Sequence, residues 1–445
     1  MHSIPTPSKR FLFISVVSAV IVMLYPFSRA FAVPSYSRQT GLQCSACHTV
    51  FPELNAFGRQ FKVQGYTLIS QENNQPKLPV NYIPPLSSML MGSYTNVKKT
   101  QPDTLNGNTL FPDQLSLFYT GRVADKLGTF VQLTYEGADD HFTMDNADVR
   151  WADKGMIGSN PIDYGVTLNN NPTVQDIWNS TPVWGFPYAS SSVAPAPAAA
   201  TIIDGSLGQQ VAGLGGYALW NNMIYAELSF YRASQIGGPQ PPDNSVDTTN
   251  VVDNNAPYWR LAYEHMFGRH AVEIGTYGMN ANLFPQGVSG PTDKFHDIAF
   301  DAQYQLLESD YNISAHTTWI REKQKWNASF PAGDASNPSD TLKTFKFDAS
   351  YYWRKLIGGS LGYFSTTGDT DSSHYPAGGI DGSRTGSPDS SGAIAQVSYL
   401  PWQNTRFSLQ YTAYNKFNGA SSNYNGDGRS ASDNNTLYFL IWLMY

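Results

Sequence analysis

Asp297-Ile298-Ala299-Phe300-Asp301-Ala302-Gln303-Tyr304-Gln305-Leu306 has a period of two. Ile298, Phe300, Ala302, Tyr304 and Leu306 share one face, while Asp297, Asp301, Gln303 and Gln305 share the other. The same alternation returns in Phe345, Phe347, Ala349, Tyr351 and Trp353, set against Lys346, Asp348, Ser350 and Tyr352. It returns again in Phe407, Leu409, Tyr411 and Ala413, set against Arg406, Ser408, Gln410 and Thr412. One apolar and one polar face on strands of about ten residues is the pattern of an outer-membrane β-barrel. A soluble sandwich with one wet face gives a similar alternation.

The links between strands separate the two. About 16 strands fit between residues 86 and 445, and their connections alternate short and long. Short ones include Ala124–Gly128, Asn221-Asn222, Phe267–Arg269, Glu308–Asp310, Arg354–Ile357 and Pro401–Asn404; long ones run near 97–112, 170–205, 233–256, 281–293, 322–342, 367–391 and 418–435. The 136–141 link is short for the long side, and 153–162 is long for a turn. A sandwich has no reason to gather its long loops at one end. The last strand, Thr436 to Tyr445, carries Leu437, Phe439, Ile441, Leu443 and Tyr445 on one face, which suits a closing strand. Some 16 strands enclose an aqueous lumen.

Residues 1–32 read as a secretory signal: Lys9 and Arg10, an apolar core from Phe11 to Tyr25, and the small-residue site Ala30-Phe31-Ala32. Removing Lys9, Arg10 and Arg29 leaves 25 basic against 35 acidic residues, a net charge of −10. An exported acidic chain argues against nucleic acid and favours cationic partners.

Residues 33–80 hold Cys44-Ser45-Ala46-Cys47-His48, the attachment motif for a c-type haem. Two thiols one helical turn apart reach two vinyl groups of one porphyrin, and the next His lies under the iron. A redox-active disulfide and half a zinc site are the alternatives. Cys44 and Cys47 are the only cysteines, so no second pair completes a four-thiolate site. Downstream, Pro52 suits the first position of a helix and Glu53 its first turn, with Gly65 placed to end it. Leu54, Phe57 and Phe61 recur at helical spacing and offer one apolar face to the porphyrin. Arg38, Arg59 and Lys62 are candidates to pair with haem propionates, or else are solvated. Met89 and Met91 share a strand face and are candidate sixth ligands; methionine in such a strand is otherwise filler.

The run PSYSRQTGLQCSACHTVFPELNAFGRQFKVQGY, from Pro34 to Tyr66, resembles the fused monohaem cytochrome–porins of bacterial outer membranes, whose characterised members include iron(II) oxidases. The NPTVQDIWNSTPVWGFPY stretch and the order of signal, one haem motif and porin-sized barrel are similar too. The resemblance implies one covalent haem c, with Cys44 and Cys47 as thioether attachments and His48 as axial ligand. It implies electron transfer from an external donor, Fe(II) in the best-known cases, to a periplasmic c-type cytochrome, the activity of an iron(II):cytochrome c oxidoreductase.

The fold expected is therefore mainly β: residues 86–445 form a transmembrane barrel in outer-membrane lipid, with a small helical haem module before it, on the periplasmic side or inside the lumen. The aromatic part of loop 170–205 is expected to enter the lumen as a constriction or lid, with Ala/Pro/Ser low complexity at 189–200 as a spacer. Glu136, Asp139, Asp140 and His141 cluster in one outward link, where carboxylates suit an approaching hard cation; solvated turn residues look the same. Electron export to an external acceptor is a second reading. A solute porin with a haem-bearing plug is a third, in which Arg122, Arg150, Asp148, Glu227, Lys346 and Asp348 line the path.

Overall fold

The computed structural model describes residues 35–70, 86–102, 104, 106–233, 250–285 and 289–445. The proposed signal and the stretch joining the two segments, 71–85, lie outside the described residues. Among the described residues the sheet has seventeen strand segments. One of these, Val251–Val252, is a two-residue piece pairing with Leu283 and Phe284. The other sixteen are β1 (Leu86–Val97), β2 (Asn108–Ala124), β3 (Leu127–Glu136), β4 (His141–Ile157), β5 (Asn160–Asn169), β6 (Val211–Trp220), β7 (Ile224–Ala233) and β8 (Ala256–Phe267), followed by β9 (His270–Phe284), β10 (Asp293–Leu307), β11 (Tyr311–Lys325), β12 (Ser339–Trp353), β13 (Ile357–Gly368), β14 (Ser390–Trp402), β15 (Thr405–Lys416) and β16 (Thr436–Met444). Each pairs antiparallel with its neighbour, and β1 closes on β16 from Met89↔Met444 to Val97↔Thr436. Closure leaves no free sheet edge.

The alternation decides which face points where. On β10, Phe300 is 54% exposed and Ile298 38%, whereas Asp297 and Gln305 are fully buried. Phe347, Tyr351 and Trp353 on β12 and Leu409 and Tyr411 on β15 also face outward. An apolar exterior over a polar interior is stable only when lipid meets the outside. The chain is a porin-like β-barrel of the outer-membrane type. The 153–162 link proves to be an ordinary turn, because β4 runs on to Ile157 and β5 begins at Asn160.

The N-terminal segment lies inside the lumen, where three short helices form: α1 (Ser35–Thr40), α2 (Cys44–Cys47) and α3 (Ala56–Val63). Tyr36 donates to Thr129 O at 2.9 Å, Tyr66 to Asp148 at 2.7 Å, and Tyr217 to Val63 O at 2.7 Å. The third helix starts at Ala56 rather than Pro52. Asn55, a better N-cap, accepts from Gly58 N at 3.0 Å through its side chain. Gly65, at φ +67°, takes the left-handed turn after the helix.

Loop 170–210 enters the lumen as well. Ile177 and Trp178 are buried, and Trp178 packs edge-on to Tyr225 of β7 with ring centroids 5.4 Å apart. The low-complexity part does not hang free: Gln101 donates to Val193 O at 2.7 Å and Tyr414 to Pro195 O at 3.3 Å. Charges expected to line a solute path are largely paired. Arg150 binds Asp148 at 2.8 Å, Lys346 binds Asp204 at 2.6 Å, and Asp348 meets His316 at 2.9 Å. Glu227 accepts from Ser229 at 2.7 Å, and Arg122 pairs with Asp125 near the β2–β3 turn.

Candidate functional site

Cys44, Ser45, Ala46 and Cys47 form a single helical turn, closed by His48 N donating to Cys44 O at 3.0 Å. His48 then turns extended (φ −114°, ψ 138°), so its ring leaves the helix direction. Asn55 braces the turn from below, its Nδ2 donating to Ala46 O and its main-chain N to Cys47 O, both at 2.9 Å. Gly58 permits the contact between α2 and α3: a Cβ there would lie 2.2 Å from the Cys47 carbonyl oxygen.

Both cysteines are free thiols and border a cavity of about 520 Å³ together with His48. That volume is in the range of small-molecule and cofactor pockets. Burial pushes the Cys44 thiol up, and pushes Cys47 up to about 11, with the neighbouring Cys44 adding to it. The His48 ring is held by its Nδ1, which lies 3.1 Å from Pro52 O and 3.3 Å from Glu53 O. Burial lowers its pKa to about 4 against the opposing pull of those carbonyls, and Lys355 lowers it further. Two carbonyl acceptors at Nδ1 favour the neutral tautomer with its hydrogen there, which leaves Nε2 as the lone-pair donor.

The far wall of the cavity is apolar. Met89 and Met91 of β1, Phe118 of β2 and Tyr438, Leu440 and Trp442 of β16 form one buried cluster, with Phe51, Phe130 and Tyr188 packed against it. These side chains point inward, where most of the wall is polar. Closing strand β16 is therefore apolar on both faces. The sequence carries that signal in the unbroken run Leu437–Met444, but strict alternation hides it.

The other candidates fare differently. Lys62 borders the cavity, donates to Val174 O at 2.7 Å and lies 4.7 Å from the centre of the Trp184 ring. Arg59 is committed elsewhere: it pairs with Glu264 and donates to Gln305 Oε1 at 2.8 Å. Arg38 reaches the Leu86 carbonyl and is not among the residues bordering the cavity. Phe61 and Leu54 border it, but Phe57, expected on the same face, is 41% exposed. Leu54 precedes the helix and bridges to His48, so helical spacing does not set its direction.

Glu136, Asp139, Asp140 and His141 sit in the β3–β4 turn, at the end that bears the long loops. His141 Nδ1 lies 3.2 Å from Asp139 O, while Asp139 and Asp140 are exposed. Among the described residues no group of three His, Cys, Asp or Glu side chains converges to hold a metal ion. Unanticipated are the carboxylates that border the cavity itself, Asp113, Asp145 and Asp176; Asp113 accepts from Tyr438 at 3.0 Å.

No protein-family model matches this sequence, and no curated protein matches it. Several solved outer-membrane proteins are similar. OmpF of Salmonella typhi, in complex with daunomycin, has 13% identity and a TM-score of 0.47 over 81% of this chain and 97% of that one. The outer membrane channel DcaP of Acinetobacter baumannii has 11% identity and a TM-score of 0.47 over 81% and 96%. The anion-selective porin from Comamonas acidovorans has 12% identity and a TM-score of 0.44 over 81% and 98%.

Proposed function

We propose that this barrel carries one covalent haem c in its lumen and serves electron transfer across the outer membrane, from extracellular Fe(II) to a periplasmic c-type cytochrome. The observation that carries the reading is the juxtaposition of Cys44, Cys47 and His48 with the inward apolar cluster of Met89, Met91, Phe118 and Trp442. An apolar patch inside a largely polar lumen calls for an apolar occupant, and the donors facing it are those a c-type macrocycle uses.

The residues divide the work simply. Cys44 and Cys47 offer the two thioether positions from one turn, and His48 offers Nε2. Met89 or Met91 would offer a soft sulfur donor, and Lys62 would offer a cation to a propionate. Bound there, the haem supplies a centre that exchanges one electron at a time. Burial and hydrogen bonding would tune such a centre. Fe(II) as donor comes from the family resemblance of Pro34–Tyr66.

The test uses purified full-length protein in detergent, without oxygen. Covalent haem is first sought in a denaturing gel. Fe(II) is then added to the oxidised form and the haem α-band followed. Rapid stoichiometric reduction, absent from His48→Ala, supports the proposal. Reduction by dithionite but not by Fe(II) removes iron as donor and favours electron export.

A solute porin with a haem-bearing plug is the second reading, favoured by the closed sixteen-stranded porin-like barrel itself. A wide, steady conductance that persists without haem would establish it.

A further inference from the structure

The segment His48–Asn55 is shaped by its own turn and by the barrel. Inside the turn, Glu53 N donates to Val50 O at 2.7 Å and Thr49 N to Glu53 O at 3.1 Å. From the wall, Asn312 donates to Thr49 O at 3.1 Å and Arg406 Nη1 to Phe51 O at 2.8 Å. The Glu53 carboxylate, only 2% exposed as a residue, points away from its own segment. It accepts from Gln305 Nε2 at 2.7 Å, from Ser314 Oγ at 2.8 Å and from Tyr188 at 3.5 Å. Gln305 also donates to Leu54 O at 3.0 Å.

The side chain of Glu53 is thus an anchor, while its main-chain carbonyl is one of the two acceptors at His48 Nδ1. A neutral imidazole has one N–H, and two carbonyls can only accept, so their placement decides which nitrogen keeps the hydrogen. A buried carboxylate saturated by donors from β10, β11 and the lumen loop does little for the turn's own folding. It ties the turn to the wall. Orientation of a ligating histidine by partners on its other nitrogen is a general device of metal sites.

We infer that Gln305 and Ser314, on the barrel wall, are positioning residues for the His48 imidazole: they fix Glu53 and, through its carbonyl, hold the hydrogen at Nδ1 so that Nε2 is the nitrogen offered to a ligand. The inference rests on the haem reading for its purpose but not for its geometry. It makes the barrel part of the site rather than a container for it.

The full-length protein with Cys44→Ala and Cys47→Ala, which forms no thioether, allows a direct test. Its histidines are labelled with ¹⁵N, and His48→Gln identifies the resonances. The parent is expected to show one tautomer with the hydrogen on Nδ1. Adding Gln305→Leu and Ser314→Ala is expected to give a mixture, while Ser314→Thr alone, which keeps the hydroxyl, retains the single tautomer. With the cysteines restored and haem attached, Gln305→Leu with Ser314→Ala is expected to lower the low-spin fraction.

A parent with its hydrogen on Nε2 overturns the inference, and so does an unchanged tautomer in the doubly substituted wall. If that variant fails to show the heat-modifiable mobility of a folded barrel, Ser314→Ala alone carries the same comparison. Wild-type protein without covalent haem, but with the expected tautomers, would sink the cofactor reading and support the positioning role.

Discussion

Glu53 and Gln305 are 252 residues apart in sequence, yet the Gln305 amide donates to the Glu53 carboxylate at 2.7 Å. Gln305 also accepts from Arg59 at 2.8 Å, and Arg59 pairs with Glu264. Glu264 in turn accepts from the Trp178 indole at 2.9 Å. Two barrel residues therefore hold both occupants of the lumen, the N-terminal segment and the loop. The plug is tied to the barrel by buried polar groups, whose loss leaves partners unsatisfied.

Replacing Glu264 with Ala is expected to loosen that junction. It strands the Arg59 guanidinium, which is almost fully buried, and removes the acceptor of Trp178. Breaking a buried pair on one side costs about 3–5 kcal/mol. The barrel should still form, because its strand pairing is untouched. Limited proteolysis in detergent should release fragments from residues 35–70 faster than in wild type, and single-channel recordings should become noisier. An identical digestion pattern would mean that the pair does not hold the plug.

Gly58→Ala probes the α2–α3 contact. The new methyl would meet the Cys47 carbonyl oxygen at 2.2 Å, a backbone atom that can move only by displacing the cysteine turn. Forced overpacking of this kind costs about 1–3 kcal/mol. The expected result is a normally inserted barrel with much less covalent haem, measured by haem staining against total protein. Full loading would show that the turn yields without harm to attachment.

The barrel was legible because alternation is local: Phe300 and Asp301 declare their faces without reference to any other strand. Turn lengths were legible for the same reason, except where β4 runs on to Ile157. The Cys44–His48 motif needs only five consecutive residues. What could not be read is what depends on distant partners. Arg59 looks free in sequence because Glu264 lies 205 residues away. Pro52 favours a first turn in sequence, but Asn55 supplies the side-chain acceptor that starts the helix. The apolar inner wall is not legible by alternation, because Tyr438, Leu440 and Trp442 put apolar side chains on the face that is polar in the other strands.

Met89 and Met91 face the same cavity, so single substitutions separate them. Met89→Ala and Met91→Ala are each expected to insert normally. If one is the sixth ligand, its loss converts low-spin haem to high-spin and lowers the midpoint potential, since methionine ligation raises it. The other variant should resemble wild type in both respects. Optical spectra and redox titration make the comparison. Two wild-type-like spectra would assign both residues to packing.

Lys62 gives the plug a pH dependence. Burial lowers its pKa from 10.5 to about 7, with Arg150 adding to the effect and the carboxylates of Asp148, Asp176 and Glu227 opposing it. In the unfolded chain the amine keeps its proton up to the ordinary lysine value. Between about pH 7 and pH 10.5 the unfolded state therefore binds more protons, and stability rises with pH across that window. Below about pH 7 both states are charged and the full cost of burying the ammonium, a few kcal/mol, is felt. Lys62→Met removes that cost along with the hydrogen bond to Val174 and the contact with Trp184. In haem-free protein the variant should unfold at a higher temperature than its parent at pH 6, and the gap should shrink steadily toward pH 10. A gap that stays constant with pH would mean that Lys62 keeps its proton throughout, held by the carboxylates around it.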